Sequence, residues 1–167
     1  MTSYVDTGAV FSPCEVYRYR LWRSWRLPWL EGEGKRAAFI GLNPSTATET
    51  EDDPTIRRCI GFASRWGCDG MEMLNLYAIR STDPRGVWMS SDPVGEETDH
   101  YLVEVASKAE VVVACWGAFP RAQWRAAEVV AMLAEAGVTV QALGVTKEGQ
   151  PRHPLYIKNE AELRPWP

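Results

Sequence analysis

Histidine is scarce in this chain of 167 residues: His100 and His153 are the only two. The four cysteines, Cys14, Cys59, Cys68 and Cys115, are scattered and form no Cys-x-x-Cys pair. A zinc ribbon or an iron–sulfur cluster needs closely spaced thiolates, so neither is expected, nor is any other metal or cofactor. Long apolar runs are lacking too, with no stretch of about 18 apolar residues to cross a bilayer. The opening "MTSYVDTGAVFSPCEVYRYR" has no basic end followed by an apolar signal core, so the expectation is a cytoplasmic protein with no membrane partner. Positive charge is not in excess either. The net charge of −4 excludes a polycation that holds nucleic acid through overall charge alone. Local basic clusters do occur in "YRYRLWRSWR", "TIRRC" and "TKEGQPRHPLYIK"; each reads as a binding patch or as a plain solvated face. Repeats, low-complexity tracts and linkers are absent. With 46% hydrophobic residues, the chain reads as one globular domain with a real core, and as a monomer.

What is present is an alternation of strands and helices. Residues 15–23 alternate polar with aromatic or apolar side chains, as a strand covered on one face does. In "FIGLNPSTA" the apolar residues up to Ile40 mark a strand buried on both faces, and Gly41 lets the backbone turn sharply or approach a ligand. A helix follows over 54–66, with Asp53 as its cap, Pro54 in its first position and Gly67 as its stop. Ile56, Cys59, Ile60, Ala63 and Trp66 fall at helical spacing and read as core. "GMEMLNLYAI", "EVVVACWG" and "VTVQALG" are further strands. Helices are expected over 95–107 and 120–137, with a long polar connection over 81–95. These elements predict a three-layer α/β/α sandwich around a central, mostly parallel four-stranded sheet.

Polar residues recur where these strands end: Gly41-Leu42-Asn43-Pro44, then Asn75, then Trp116-Gly117, then His153-Pro154 in the loop after the last strand. All four groups would converge on one rim of the sheet, where open α/β folds bind ligands. In this order and spacing, over roughly residues 36–158, the sequence resembles the uracil-DNA glycosylase superfamily. "GLNP" is similar to that superfamily's G-x-[DN]-P motif, in the asparagine version of the mismatch-specific uracil and thymine glycosylases. The resemblance implies that Asn43 orients the attacking water. Cleavage of an N-glycosidic bond passes through an oxocarbenium-like state that demands little of its nucleophile, so placement is most of the task. By the same resemblance Asn75 bonds the pairing edge of an extruded base, Trp116 packs, and His153 in "RHPLY" stabilises negative charge on the departing base. Leu155 or Tyr156 would fill the gap left in the duplex, and Arg152 and Lys158 would contact phosphates. Gly41, Pro44, Ser45 and Thr46 would border the substrate. Enzymes strict for uracil place a tyrosine directly after the proline; Ser45 and Thr46 leave the pocket open there. Asp53 either supplies a carboxylate to the cleft or serves only as a helix cap. "LNPSTA", "DDPTIRRC" and "PRHPLY" also resemble motifs of an uncharacterised bacterial and phage family, domain of unknown function 1643, over nearly the whole chain.

The activity expected on these grounds is that of a monofunctional DNA glycosylase acting on a flipped, 5-substituted pyrimidine, in a setting such as defence against phages with modified DNA. No amine nucleophile lies in the motifs, so a Schiff base with strand cleavage is not expected. Two rivals stand beside it: a hydrolase or transferase for a free nucleoside or nucleotide, and a catalytically silent module that binds nucleic acid.

Overall fold

The computed structural model describes residues 3–32 and 34–167. Its sheet has the order β1-β2-β4-β3-β5-β6-β7, built from β1 (Asp6–Phe11), β2 (Arg18–Ser24), β3 (Arg36–Gly41), β4 (Gly70–Asn75), β5 (Val111–Ala114), β6 (Val140–Ala142) and β7 (Arg164–Pro165). β3 runs parallel to β4 and β5, and β5 to β6, whereas β1/β2, β2/β4 and β6/β7 are antiparallel. The fold is therefore mixed α/β, and the expectation of a four-stranded, mostly parallel sheet is corrected to seven strands in mixed array. The difference lies at the edges. The β1–β2 hairpin covers the open side of β4, and the short β7 pairs with β6, so that neither parallel edge is left bare. β1, with the sequence "DTGAVF", is too short and too weakly alternating to declare itself in the sequence.

Helices lie on both faces. α1 (Pro54–Arg65) begins where the sequence reading placed it: Asp53 accepts a hydrogen bond from the Ile56 amide at 2.8 Å, and Pro54 fills the first turn, where an amide proton would have no partner. Its Ile56, Cys59, Ile60 and Ala63 pack on Ala37 and Phe39 of β3 and on Met71 and Met73 of β4. Through the alternation of strand side chains, Ala38, Ile40 and Leu74 point the other way. There they meet Leu102 and Val105 of α3 (Thr98–Lys108) and Val129 and Leu133 of α4 (Gln123–Glu135). A short helix, α2 (Arg85–Met89), interrupts the connection expected to be irregular, and it buries Val87. Among the described residues no helix is long and apolar enough to cross a membrane.

The arginines of β2 are not a solvated face. Arg23 is fully buried, donating to Asp52 at 2.7 Å and to the carbonyls of Trp22 and Thr48. Arg20 grips Glu72 through Nε and Nη2 at 2.8 and 2.7 Å, and Arg36 joins the same carboxylate at 2.7 Å. Between Arg20 and Arg18 the ladder with β1 slips: Val10 pairs with Arg20 and Phe11 with Arg18, so Tyr19 has no partner across the strand. This β-bulge reverses the alternation. Without it, Arg18 would share the face of Arg20. With it, Arg18 joins Leu21 and Arg23 on the α1 side, where its Nη1 donates to Ala47.

Candidate functional site

A pocket of about 530 Å³ opens where the parallel strands end. β3 runs into it through Gly41, Leu42 and Asn43, β4 through Asn75, and β5 through the turn from Trp116 to Phe119. The first turn of α1 and the loop after β6 close two further sides, contributing Asp53 and Thr55 on one and Arg152, His153, Leu155 and Tyr156 on the other. Ser45 and the 81–84 segment complete the wall. Of the residues singled out from the sequence, Gly41, Asn43, Ser45, Asp53, Asn75, Arg152, His153, Leu155 and Tyr156 are thus gathered in one place. Pro44, Thr46 and Lys158 do not line the pocket: Pro44 is buried in the turn, and Thr46 and Lys158 face solvent.

Asn75 is 3% exposed, and among the described residues neither its Oδ1 nor its Nδ2 has a hydrogen-bond partner. Buried polar groups are almost always paired, and each one left unpaired costs about 1–3 kcal/mol, so this amide at the pocket wall is free to bond a ligand or a water. Gly41 makes room for it. A Cβ at Gly41 would lie 2.9 Å from Asn75 Oδ1 and 2.8 Å from Met73 Cε, too close for either to stay.

Asn43 is held differently. Its Nδ2 donates to the carbonyls of Pro44 at 3.0 Å and Ser81 at 2.9 Å, with Ile79 at 3.4 Å, which fixes the orientation of the amide and staples the turn after β3 to the 79–81 segment. Among the described residues no side chain or amide donates to its Oδ1. That oxygen is left free to accept a hydrogen bond. Asp53 caps α1 through one oxygen and is also among the residues that line the pocket.

His153 begins a 3-10 turn (Pro154–Tyr156), and its Nδ1 accepts the amide proton of Leu155 at 3.2 Å. An accepting Nδ1 leaves the ring proton on Nε2. Burial holds the imidazole pKa below its ordinary value, an effect that Asp53 partly opposes. Near neutral pH the ring is an uncharged donor. Arg58 on α1 fastens this loop, donating through Nε to Pro154 at 3.2 Å and through its other nitrogens to Ile157 and Asn159. One arginine of the "TIRRC" cluster is therefore a clamp, not a surface charge. Leu155 and Tyr156 stand outward at the rim, 47% and 78% exposed.

Sequence reasoning did not single out Arg18. It is 2% exposed and lines the pocket, yet among the described residues it has no carboxylate within ion-pairing distance and no partner for Nε. Burial lowers its pKa to about 10, against a small upward pull from Asp53. Only the bulge aims it here, and no local pattern in "VYRYRLW" signals a bulge. Trp116 also lines the pocket, packing edge-on to Trp166 at 5.1 Å, with its indole N–H unpaired. Cys59 and Cys115, both wholly buried, have thiols pushed upward by desolvation, Cys115 to about 12, which removes them as nucleophiles.

The molecule is thus a mixed α/β protein with a pocket at the strand ends. Residues 18–155 match the family model described as protein of unknown function (DUF1643), and the chain belongs to that family. No curated protein and no solved structure matches it.

Proposed function

We propose that this protein is a monofunctional DNA glycosylase that hydrolyses the N-glycosidic bond of a flipped, 5-substituted pyrimidine. The observation that supports it best is the unpaired carboxamide of Asn75. An amide offers one acceptor and a donor side by side, the complement of the pairing edge of a pyrimidine, and the ligand would supply the bonds the protein withholds. His153 Nε2 then donates to the base carbonyl oxygen on which charge collects as the bond from sugar C1′ to the base nitrogen breaks. Asn43 Oδ1, with Asp53 nearby, holds the water whose oxygen bonds to C1′; the bonding pair leaves with the base, and the water's proton passes to Asp53 or to solvent. Small Ser45 leaves space beside the ring for a 5-substituent. Leu155 and Tyr156 take the place of the flipped nucleotide, with Arg152 and Lys158 on the flanking phosphates. Modified pyrimidines occur in phage genomes, and antiviral defence is the setting that fits an open pocket.

The test is an abasic-site assay on duplex and single-stranded DNA with unmodified, uracil, hydroxymethylated and glucosylated pyrimidines. Abasic sites are expected with at least one 5-substituted base and without strand cleavage. If the protein binds these DNAs tightly yet makes no abasic sites in any, it is a silent binding module. A second reading, hydrolysis of a free nucleotide, draws on the buried cation Arg18; release of base from nucleotides at rates independent of salt would establish it in place of the first.

Gly41→Ala is expected to weaken binding of the preferred base about ten-fold or more, a loss of ~1.4 kcal/mol, by pushing aside the Asn75 amide. Calorimetry on the free base measures it. Unchanged affinity in a folded variant would show that Asn75 is not the contact.

A further inference from the structure

The other buried arginines, Arg23 and Arg125, are fully engaged. Arg23 donates to Asp52 and to the carbonyls of Trp22, Thr48, Glu49 and Glu51, and Arg125 donates to Leu76, Glu128 and Asp99; the half-buried Arg20 presents its Nε/Nη2 edge to both oxygens of Glu72. Arg18 is buried almost as deeply as Arg23, but its one side-chain bond among the described residues is Nη1 to the Ala47 carbonyl at 2.9 Å. Its Nε/Nη2 edge, the edge Arg20 uses on a carboxylate, meets no acceptor among the described residues. A guanidinium taken out of water without an anion is costly, and the side-on edge is shaped for two parallel bonds to a carboxylate or phosphate. The backbone was bent to put it there: the bulge at Tyr19 turns Arg18 away from the Glu72 face and into the pocket wall, under the 45–47 turn. Asp53 borders the same pocket without pairing with Arg18, and Asn75 lies on the neighbouring strand with its amide also unpaired.

We infer that Arg18 forms an anion subsite in the pocket wall, which takes a carboxylate or phosphate carried by the same ligand whose ring Asn75 reads. The subsite itself stands on the geometry of Arg18; only the identity of the ring rests on the glycosylase reading. Under that reading the anion is a carboxylate on the 5-position, since Ser45 opens the pocket on the turn above Arg18.

Calorimetric titration of the whole protein with two matched pairs tests it: uracil against 5-carboxyuracil, and uridine against uridine 5′-monophosphate. One acid is expected to bind about ten- to a hundred-fold tighter than its neutral partner, the range of a charge-assisted bond in a dry site. Arg18→Met should erase that preference and Arg18→Lys keep part of it. Preference for 5-carboxyuracil assigns the group to the base; preference for the monophosphate assigns it to a free nucleotide. If the wild-type protein prefers neither acid, the inference is wrong, and that result stands even if both variants fail to fold. Acid preference without abasic sites in any DNA would remove the glycosylase and leave the subsite; abasic sites without acid preference would do the reverse.

Discussion

Asn75→Leu is expected to abolish turnover while raising the melting temperature. Leucine has a similar branched shape and no polar atoms, so the substitution removes two buried groups that have no partner, each worth about 1–3 kcal/mol to the folded state. Crowding from the larger side chain takes back roughly 1–3 kcal/mol. The net gain is on the order of 1 kcal/mol or somewhat more, about 2–4 °C per kcal/mol in a chain of this size. Function moves the other way, because a pocket built to hydrogen-bond its ligand can lose on the order of 10⁴-fold when that complementarity goes. A thermal melt and the abasic-site assay, run on the same preparation, read the two effects. A lower melting temperature would mean that the amide holds the fold together and was never waiting for a ligand.

His153→Ala should lower kcat by on the order of 10²–10³-fold, the loss seen when one preplaced donor is removed from a developing anion, with KM little changed. The pH profile carries a further signature. The ring is neutral when it accepts the Leu155 amide, and its pKa lies below the ordinary 6.5; a proton on Nδ1 would break that orienting bond, so the rate should hold steady as pH falls from 8 to 6.5 and decline only below that. Stability has the same sign. A folded-state pKa beneath the unfolded one gives a contribution that is full above 6.5 and shrinks as pH drops from there through the depressed value. His153→Ala should flatten that part of the stability curve. An acid limb centred well above 6.5, or an equal rise in KM, would place another group at the leaving base.

Much of this was legible where local rules act alone. Asp53 and Pro54 announce the start of α1 because capping depends on neighbours in sequence. The near-continuous apolar stretches of β3 and β4 announce strands covered on both sides. That places Gly41, Asn43 and Asn75 at one rim. Arg18 could not be read in this way, since its direction is set by a slipped register with β1, a strand whose own sequence barely shows it. Pro44, Thr46 and Lys158 lie outside the pocket for a different reason. They sit beside true pocket residues in sequence, but the turn after β3 buries one and turns the next outward, and Lys158 lies beyond the 3-10 turn.

The Arg58 clamp has a consequence for how the molecule comes into being. It joins residues 96 and more positions apart, so His153 takes its place only after the chain has closed a very long loop. Such distant closures are the slow steps of folding. The β1–β2 hairpin and α1 can pair and coil from near neighbours, yet a chain halted before residue 154 lacks every acceptor through which Arg58 holds the histidine loop. Under the proposed function, a partly folded intermediate with a well-formed central sheet would be inactive, and abasic-site formation would report the completion of folding.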